Sequence, residues 1–456
     1  MSSISARIER LPFGRFHRRL LLMGGLGYTF DGLDAAVIAF ILPVVMKLWG
    51  LSSVQTGVLG SANFIGFLFG ALTAGLLGDR IGRRPVMMYA LVLYTAASLV
   101  SAFASSWPVF FWTRVFAGLG TGAESAIVAP FLAEFVARRM RGGFTGALAG
   151  FFSFGFVGAA LLGYFIVPGG PQNWRVVLAL TALPVVMLLW WRRALPESPR
   201  WLEARGRAAA AAAVLDRMEA EAEGPLPPLV EEEVAPPPLA GEGRRGFAVQ
   251  IAALFSPALR RVTAMTWLMW LSITFSYYAF FTWIPTLLVQ SGMTITRSFG
   301  YSLGIYLAQI PGYYSAAWLN ERIGRQAVIA GYMVLGGAAA LSMAAAHAPM
   351  QIMVAGFLLS FFMNGTYAGV YAYTPEVFPT DVRTTGTGLA SAIGRVGSIA
   401  SPIIVGFIFP RLGFAGVFGM TTAVLLLGAA SVLILGVKTL RRSLEEIARD
   451  ELAATN

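Results

Sequence analysis

The chain has 456 residues, of which 57% are hydrophobic and 12% charged, with a net charge of +11, two histidines and no cysteine. Soluble domains carry about 25% charged residues, so half that share excludes an ordinary soluble protein and points to a polytopic membrane protein in a lipid bilayer. The absence of cysteine excludes disulfides and thiolate metal sites, and two histidines support zinc poorly, so neither metal nor cofactor is expected.

Apolar runs of about 20 residues mark twelve spans. The first, residues 20–46, is too long for a signal-peptide core and lacks a small-residue cleavage site, so a cleaved leader is not expected. Within it "YTFDGLDAAVIAF" (28–40) holds Asp31 and Asp34, three residues apart and therefore on nearly one helical face. An ionised aspartate at mid-bilayer costs about 2.5–3.5 kcal/mol. Two are tolerated if they face a wet cavity, meet a cation or take up protons; a static ion pair is the plainer alternative. Span 2 (54–77) runs into "GLLGDRIGRR" (75–84), and span 3 covers 85–105. Span 4 (108–136) opens with the candidate cation, Arg114, in "RVFAGLGTGAES". The glycine spacing there permits close helix packing. Glu124 follows ten residues later, about 15 Å along the axis. The span ends in "AEFVARRMR" (133–141), and spans 5 and 6 cover 143–167 and 174–194.

Residues 195–261 form a connection that begins "PESPRWL", continues as an Ala-rich amphipathic helix and passes through the Pro- and Glu-rich "PLPPLVEEEVAPPPLAGEGRRG". That composition suits a flexible cytoplasmic linker. It separates a six-helix bundle at 1–194 from a second at 262–437, with a tail at 438–456. Span 7 (262–290) carries Phe275, Tyr277, Tyr278, Phe281 and Trp283. Span 8 (297–319) carries Tyr306 and Gln309, and span 9 covers 326–346. Span 10 (349–376) carries Asn364, Tyr367 and Tyr371, the two tyrosines on one face at i,i+4. Span 11 (385–409) holds Arg395 within "GTGLASAIGRVGSIASP", and span 12 covers 411–436. A planar substrate stacks on such rings while phenols and amides bind its substituents. Arg395 can take a carboxylate in a bidentate pair. Trp283, beside Pro285, reads as a packing or interfacial aromatic.

Of 34 Lys and Arg residues, 28 fall in the N-terminal tail, at the ends of even-numbered spans or in the loops after them, and in the C-terminal tail. That distribution is the positive-inside rule, not a nucleic-acid surface, and it places both termini in the cytoplasm.

The halves repeat. "DRIGR" at 79–83 and "ERIGR" at 321–325 differ by 242 positions, and so do Glu134 and Glu376, and Arg141 and Arg383. Parallel six-span repeats are one of the transporter architectures. The repeat sets Gly356 opposite Arg114 and Ser153 opposite Arg395, so the loop charges are duplicated and the deep ones are not.

"GLLGDRIGRR" resembles the loop motif of the major facilitator superfamily, and the resemblance covers the whole chain. "PESPRWL" after span 6 and "RRSLEEI" after span 12 are similar to its sugar-porter, organic-ion and aromatic-acid branches. The resemblance implies an all-α membrane fold of twelve helices in two pseudo-symmetric bundles. It also implies a gating role for Asp79, Arg83, Glu134, Arg141, Glu376 and Arg383; plain headgroup anchoring is the alternative for the loop arginines. "DGLD" in span 1 with an arginine in span 11 resembles the aromatic acid/proton symporters. "FSYYAFFTWIPTLL" (275–288) and "LAEF" (132–135) look closer to the nicotinate-transporter-like and organic-ion branches. Span 7 lacks the Gln-Gln-Leu-Ser-Gly stretch of sugar porters.

The expectation is a monomeric inner (plasma) membrane transporter that takes up a small organic anion, an aromatic carboxylate, with protons. Asp31, Asp34, Arg114 and Glu124 would couple protons, with Asp34 favoured slightly as carrier and Asp31 placed to help hold Arg114 or a helix end. Arg395, Tyr277, Tyr278, Tyr306, Gln309, Asn364, Tyr367 and Tyr371 would bind substrate. An organic-cation or drug transporter and a transporter-like sensor without flux are the alternatives. No nucleophile–base or phosphate-loop pattern supports an enzyme.

Overall fold

The structure, a computed structural model, describes residues 4–229, 247–379 and 382–439, without the side chains of Asp79, Leu188, Leu189, Arg192 and Phe247. Most of the Pro- and Glu-rich stretch, the "RRSLEEI" tail motif and the Asp79 side chain thus lie outside the described residues. The described residues are helical, with no strand among them. Nine of their helices are long and apolar enough to cross a membrane.

Every expected span falls on helix, and prolines decide how. Spans 1 to 5 are Arg15–Trp49, Ser53–Ile81, Arg83–Ala102, Trp107–Ala133 and Arg138–Ile166. Span 6 is two helices, Asn173–Leu180 and Val185–Ala194. Proline has no N–H for the carbonyl four residues before it. Pro184 therefore frees Leu180, where the first helix ends, and the Leu183 N–H takes that carbonyl at 3.1 Å. Span 8 breaks by the same rule. Ile295–Leu307 ends at the residue four before Pro311, and Gln309–Ile323 begins after it. Spans 7, 9 and 10 are Arg260–Gln290, Arg325–Ala344 and Pro349–Glu376. Spans 11 and 12 run together as Arg383–Leu435, interrupted at Gly413, whose φ of 61° and ψ of −162° leave helical space.

Pro285 stays inside a continuous helix, and its effect is answered by a side chain. The carbonyl it frees belongs to Phe281, and the Tyr306 hydroxyl donates to that carbonyl at 2.7 Å. Trp283 in the same helix is fully buried and donates Nε1–H to the Pro402 carbonyl at 2.9 Å, joining spans 7 and 11. It is a packing residue and not an interfacial one.

By contacts the chain forms two compact units. The first takes Met1–Ala35, Ala62–Gly158 and Gln172–Glu242; the second takes Ala36–Ser61, Ala159–Pro171 and Gly243–Asn456. In the first unit, spans 2 and 4 cross at glycine notches. A Cβ at Gly66 or Gly70 would strike the carbonyls of Val115 or Leu119. A Cβ at Gly118 or Gly122 would strike those of Asn63 or Phe67. Each helix contributes a Gly-x-x-x-Gly pair, which brings backbone against backbone.

The N-terminal helix Ile4–Glu9 docks on the connection's helix Ala208–Ala220. Ile4, Ile8 and Leu11 share a buried cluster with Ala211, Leu215 and Met218. Around it Arg7 holds Glu219 through two nitrogens at 2.9 and 2.8 Å, and Arg10 holds the same carboxylate at 2.6 Å. The Arg7 and Arg10 hydrogen bonds hold the Glu219 carboxyl below the usual glutamate range.

Candidate functional site

In the first unit the deep charges gather between spans 1, 3 and 4. Arg114 is fully buried and grips Asp34 with two parallel bonds, NH1 to Oδ1 at 3.0 Å and NH2 to Oδ2 at 2.7 Å. NH2 also donates to the Asp34 carbonyl at 3.0 Å. Ser98 donates to Asp34 Oδ1 at 2.9 Å. This is the fork geometry that makes arginine–carboxylate pairs strong. The expectation that Asp31 would help hold Arg114 is corrected here. Asp31 accepts instead from Ser125 at 2.7 Å, and its other oxygen has no hydrogen-bond partner among the described residues. Three residues on a helix turn the side chain by about 60° from eclipse, enough to send the two acids to different stretches of span 4. Glu124 is fully buried and neither of its oxygens has a hydrogen-bond partner among the described residues. Its Oε1 lies in a notch at Gly27, where a Cβ would stand 2.7 Å away and Trp191 would stand at 3.3 Å.

Sequence reasoning missed Ser98, Ser125 and Tyr94. Tyr94 and Ser98 sit at i,i+4 in span 3, and the Tyr94 hydroxyl is buried without a hydrogen-bond partner among the described residues. A polar pair on one face of an apolar helix was the available signal.

In the second unit the aromatic candidates come together. Tyr277 packs edge-on to Tyr367 at 5.1 Å and to Tyr278 at 5.1 Å. Tyr367 stacks with Tyr371 at 5.9 Å, and Trp270 closes on Tyr371 at 5.3 Å. Trp270, also missed, is fixed by an Nε1–H bond to Thr374 Oγ1 at 2.9 Å. The Arg395 guanidinium donates to the Tyr278 hydroxyl, and Tyr367 and Tyr371 stand within its field. Tyr371 is 47% exposed, while Tyr277, Tyr278 and Tyr367 are buried behind it, so the cluster has an open edge. Tyr277 donates to Gln309 Oε1 at 2.9 Å, and Asn364 Nδ2 donates to the Gln309 carbonyl at 2.7 Å, across the break in span 8. Tyr306 lies deeper, with its hydroxyl committed to the Phe281 carbonyl.

The loop charges repeat as the sequence offset requires. Arg83 Nε meets Glu134 at 3.3 Å and Arg325 Nε meets Glu376 at 3.2 Å. Arg83 NH1 donates to the Gly78 carbonyl at 3.4 Å and Arg325 NH1 to that of Asn320 at 3.3 Å. Arg141 Nε donates to the Val136 carbonyl at 2.8 Å and Arg383 Nε to that of Phe378 at 3.2 Å. Only the first clamp is reinforced by the connection among the described residues: Ser198 donates to the second Glu134 oxygen, and Glu197 accepts from the Arg84 N–H at 3.2 Å. Burial pushes the Glu197 carboxyl up, against the pull of the backbone N–H donors of Ser198, Arg84 and Arg83 and of the Arg83 charge.

The family model described as "Sugar (and other) transporter" matches residues 18–450. The chain belongs to that transporter family. Among relatives in the family, the niacin transporter NiaP of Acinetobacter baylyi is 39% identical over 97% of this chain and 99% of its own length. The Bacillus subtilis protein also named NiaP is 33% identical over 94% of this chain and 98% of its own. The gallate transporter of Pseudomonas putida is 30% identical over 88% of this chain and 87% of its own. Among solved structures, the partially occluded inward-open xylose transporter XylE of Escherichia coli superposes with a TM-score of 0.72 at 16% identity, over 91% of this chain and 98% of XylE. The fold is therefore the all-α major facilitator fold, and the protein is a membrane transporter of a small organic substrate, not an enzyme.

Proposed function

We propose that this transporter carries an aromatic carboxylate inward together with protons, by alternating access. The observation that carries this reading is Arg395, set against Tyr278 beside a cluster of Trp270, Tyr367 and Tyr371 whose open edge is Tyr371. A guanidinium in a wall of rings matches a planar acid twice, through charge and through stacking. Niacin and gallate, carried by two relatives, are both aromatic rings bearing a carboxylate. Tyr277, Gln309 and Asn364 set the depth of the pocket, and Tyr306 shapes its floor through span 7.

Proton coupling belongs in this reading to Asp31, Asp34, Arg114 and Glu124. A carboxylate that alternates between a cation and a proton changes partner as helices move, and Asp34 on Arg114 is built for that exchange. The paired clamps of Arg83, Glu134 and Arg141 and of Arg325, Glu376 and Arg383, with Asp79, gate the cytoplasmic side. The halves at 1–194 and 262–437 move against each other, with both termini in the cytoplasm of the inner membrane.

The test is a thermal-shift panel of nicotinate, benzoate, gallate, xylose and an organic cation, followed by uptake into proteoliposomes with and without an inward proton gradient. A true substrate raises apparent stability by mass action. Aromatic acids are expected to stabilise the protein and to accumulate only with the gradient. Stabilisation by the cation or xylose alone overturns the substrate class, and accumulation indifferent to the gradient overturns the coupling.

A further inference from the structure

The first unit encloses three carboxylates and one arginine in a region without solvent exposure: Asp31 is 2% exposed, and Asp34, Arg114 and Glu124 are 0% exposed. One guanidinium compensates one carboxylate, and the geometry says which: both terminal nitrogens of Arg114 lie on Asp34. Asp31 and Glu124 are left together. Glu124 reaches the notch at Gly27, one turn before Asp31 on the same face of span 1, and its neighbour Ser125 donates to Asp31. Leaving two further negative charges in a dry interior is costly, so such groups are neutralised unless a cation reaches them.

We propose that Asp31 and Glu124 form a second acidic pair, apart from Arg114, that holds at least one proton in this conformation. The pair goes beyond the coupling reading above, and rests on it only for its part in transport. The groups facing the pair are Asp34 on span 1, Arg114 and Ser125 on span 4, Tyr94 on span 3 and Trp191 on Val185–Ala194. Arg114 holds Asp34, whose carboxylate only accepts; Ser125, Tyr94 and Trp191 can supply only neutral donors, and the Tyr94 hydroxyl and Trp191 Nε1 are unpartnered among the described residues. A proton enters one carboxyl group from water on the loading side and returns to water on the other. The discharged carboxylate then has no cation unless the helices shift. Proton loss is thereby tied to helix movement, beside the Asp34–Arg114 pair.

The measurement is the infrared spectrum of the purified protein at neutral pH. A protonated carboxyl group gives a carbonyl stretch that shifts on deuteration and is absent from carboxylates. The wild type is expected to show that band, Glu124→Gln and Asp31→Asn to weaken or move it, and the double variant to lose it. Gly27→Ala, which keeps both acids but places a methyl 2.7 Å from Glu124 Oε1, is expected to shift its frequency. This second variant reads the same pair should the double variant fail to fold. A wild-type spectrum without the band, a band untouched by all of these changes, or sodium-dependent stability in place of the band overturns the proposal. A band that behaves as expected in a protein whose uptake ignores the proton gradient sinks the coupling reading and leaves the pair standing.

Discussion

Arg83 and Arg325 stand at equivalent places in the two halves and make matching contacts, an ion pair with a glutamate at 3.3 or 3.2 Å and a hydrogen bond to a backbone carbonyl at 3.4 or 3.3 Å, while Arg325 also binds Glu321 at 2.9 Å. The loops turn on equivalent glycines, Gly82 with φ 104° and Gly324 with φ 91°, which side-chain-bearing residues rarely match. In mid-span the halves share nothing comparable. Arg114 is buried against Asp34 in one, and the repeat places Gly356 opposite it, in contact range of Ile305. Arg395 stands among tyrosines in the other, and Ser153 takes its place in the first half. The comparison teaches that the two copies share their loop contacts and differ in their deep charges. The loop ion pair serves both copies; the buried Arg114–Asp34 pair and the arginine among tyrosines each stand in one copy alone.

The sharpest break would come from Arg114. Removing it strands Asp34, and loss of one partner from a buried pair costs about 3–5 kcal/mol. Arg114→Gln is expected to lower the unfolding temperature far more than Arg395→Gln. If the two shift equally in a thermal melt without substrate, the contrast between anchor and ligand fails. Next in size, Arg395→Lys keeps the charge but loses the fork, and is expected to weaken carboxylate binding by about 10- to 100-fold with little change in stability. Titration by calorimetry reads this directly. Tyr306→Phe leaves the Phe281 carbonyl buried without its donor, and is expected to cost about 1–3 kcal/mol in a denaturant titration. Glu134→Gln is expected to slow turnover more than Glu376→Gln while substrate affinity holds in both, because only Glu134 also accepts from Ser198. Equal rates would make the connection's reinforcement irrelevant.

The smallest effect concerns pH. Glu219 ionises more readily when docked, because Arg7 and Arg10 bind its charged form. Its contribution is therefore complete above the ordinary glutamate value of about 4.3 and fades as pH falls through the lower, docked value. Hydrogen-exchange protection over residues 4–9, taken relative to intrinsic amide rates, should stay constant from neutral pH down to about 5 and fall below about 4. Loosening already near neutral pH would assign the docking to something other than these bridges.

The spans were legible because lipid demands long apolar runs, and the clamps because two loop motifs shared one offset. The aromatic cluster was legible as composition, since Tyr367 and Tyr371 share a face. What escaped depends on atoms distant in sequence. Hydropathy does not register a missing N–H, so the breaks before Pro184 and Pro311 looked like continuous spans. Asp31 was placed on Arg114 and Asp34 meets it instead, because spacing gives their face but not which one span 4's arginine meets. The N-terminal arginines read as topology signals, yet Arg7 and Arg10 also fasten the first helix to a carboxylate more than 200 positions away.

Gly66, Gly70, Gly118 and Gly122 carry a consequence for how this sequence can vary. At each, even a methyl group would land on the facing helix's backbone, and a backbone, unlike a side chain, has no rotamer to yield. Each faces main chain of Val115, Leu119, Asn63 or Phe67, so enlarging one cannot be offset by shrinking a side chain opposite. A saturation library of spans 2 and 4 should return a sparse ladder at these rungs amid tolerant lipid-facing neighbours such as Phe69 and Phe116, and two-step evolutionary paths through them are closed.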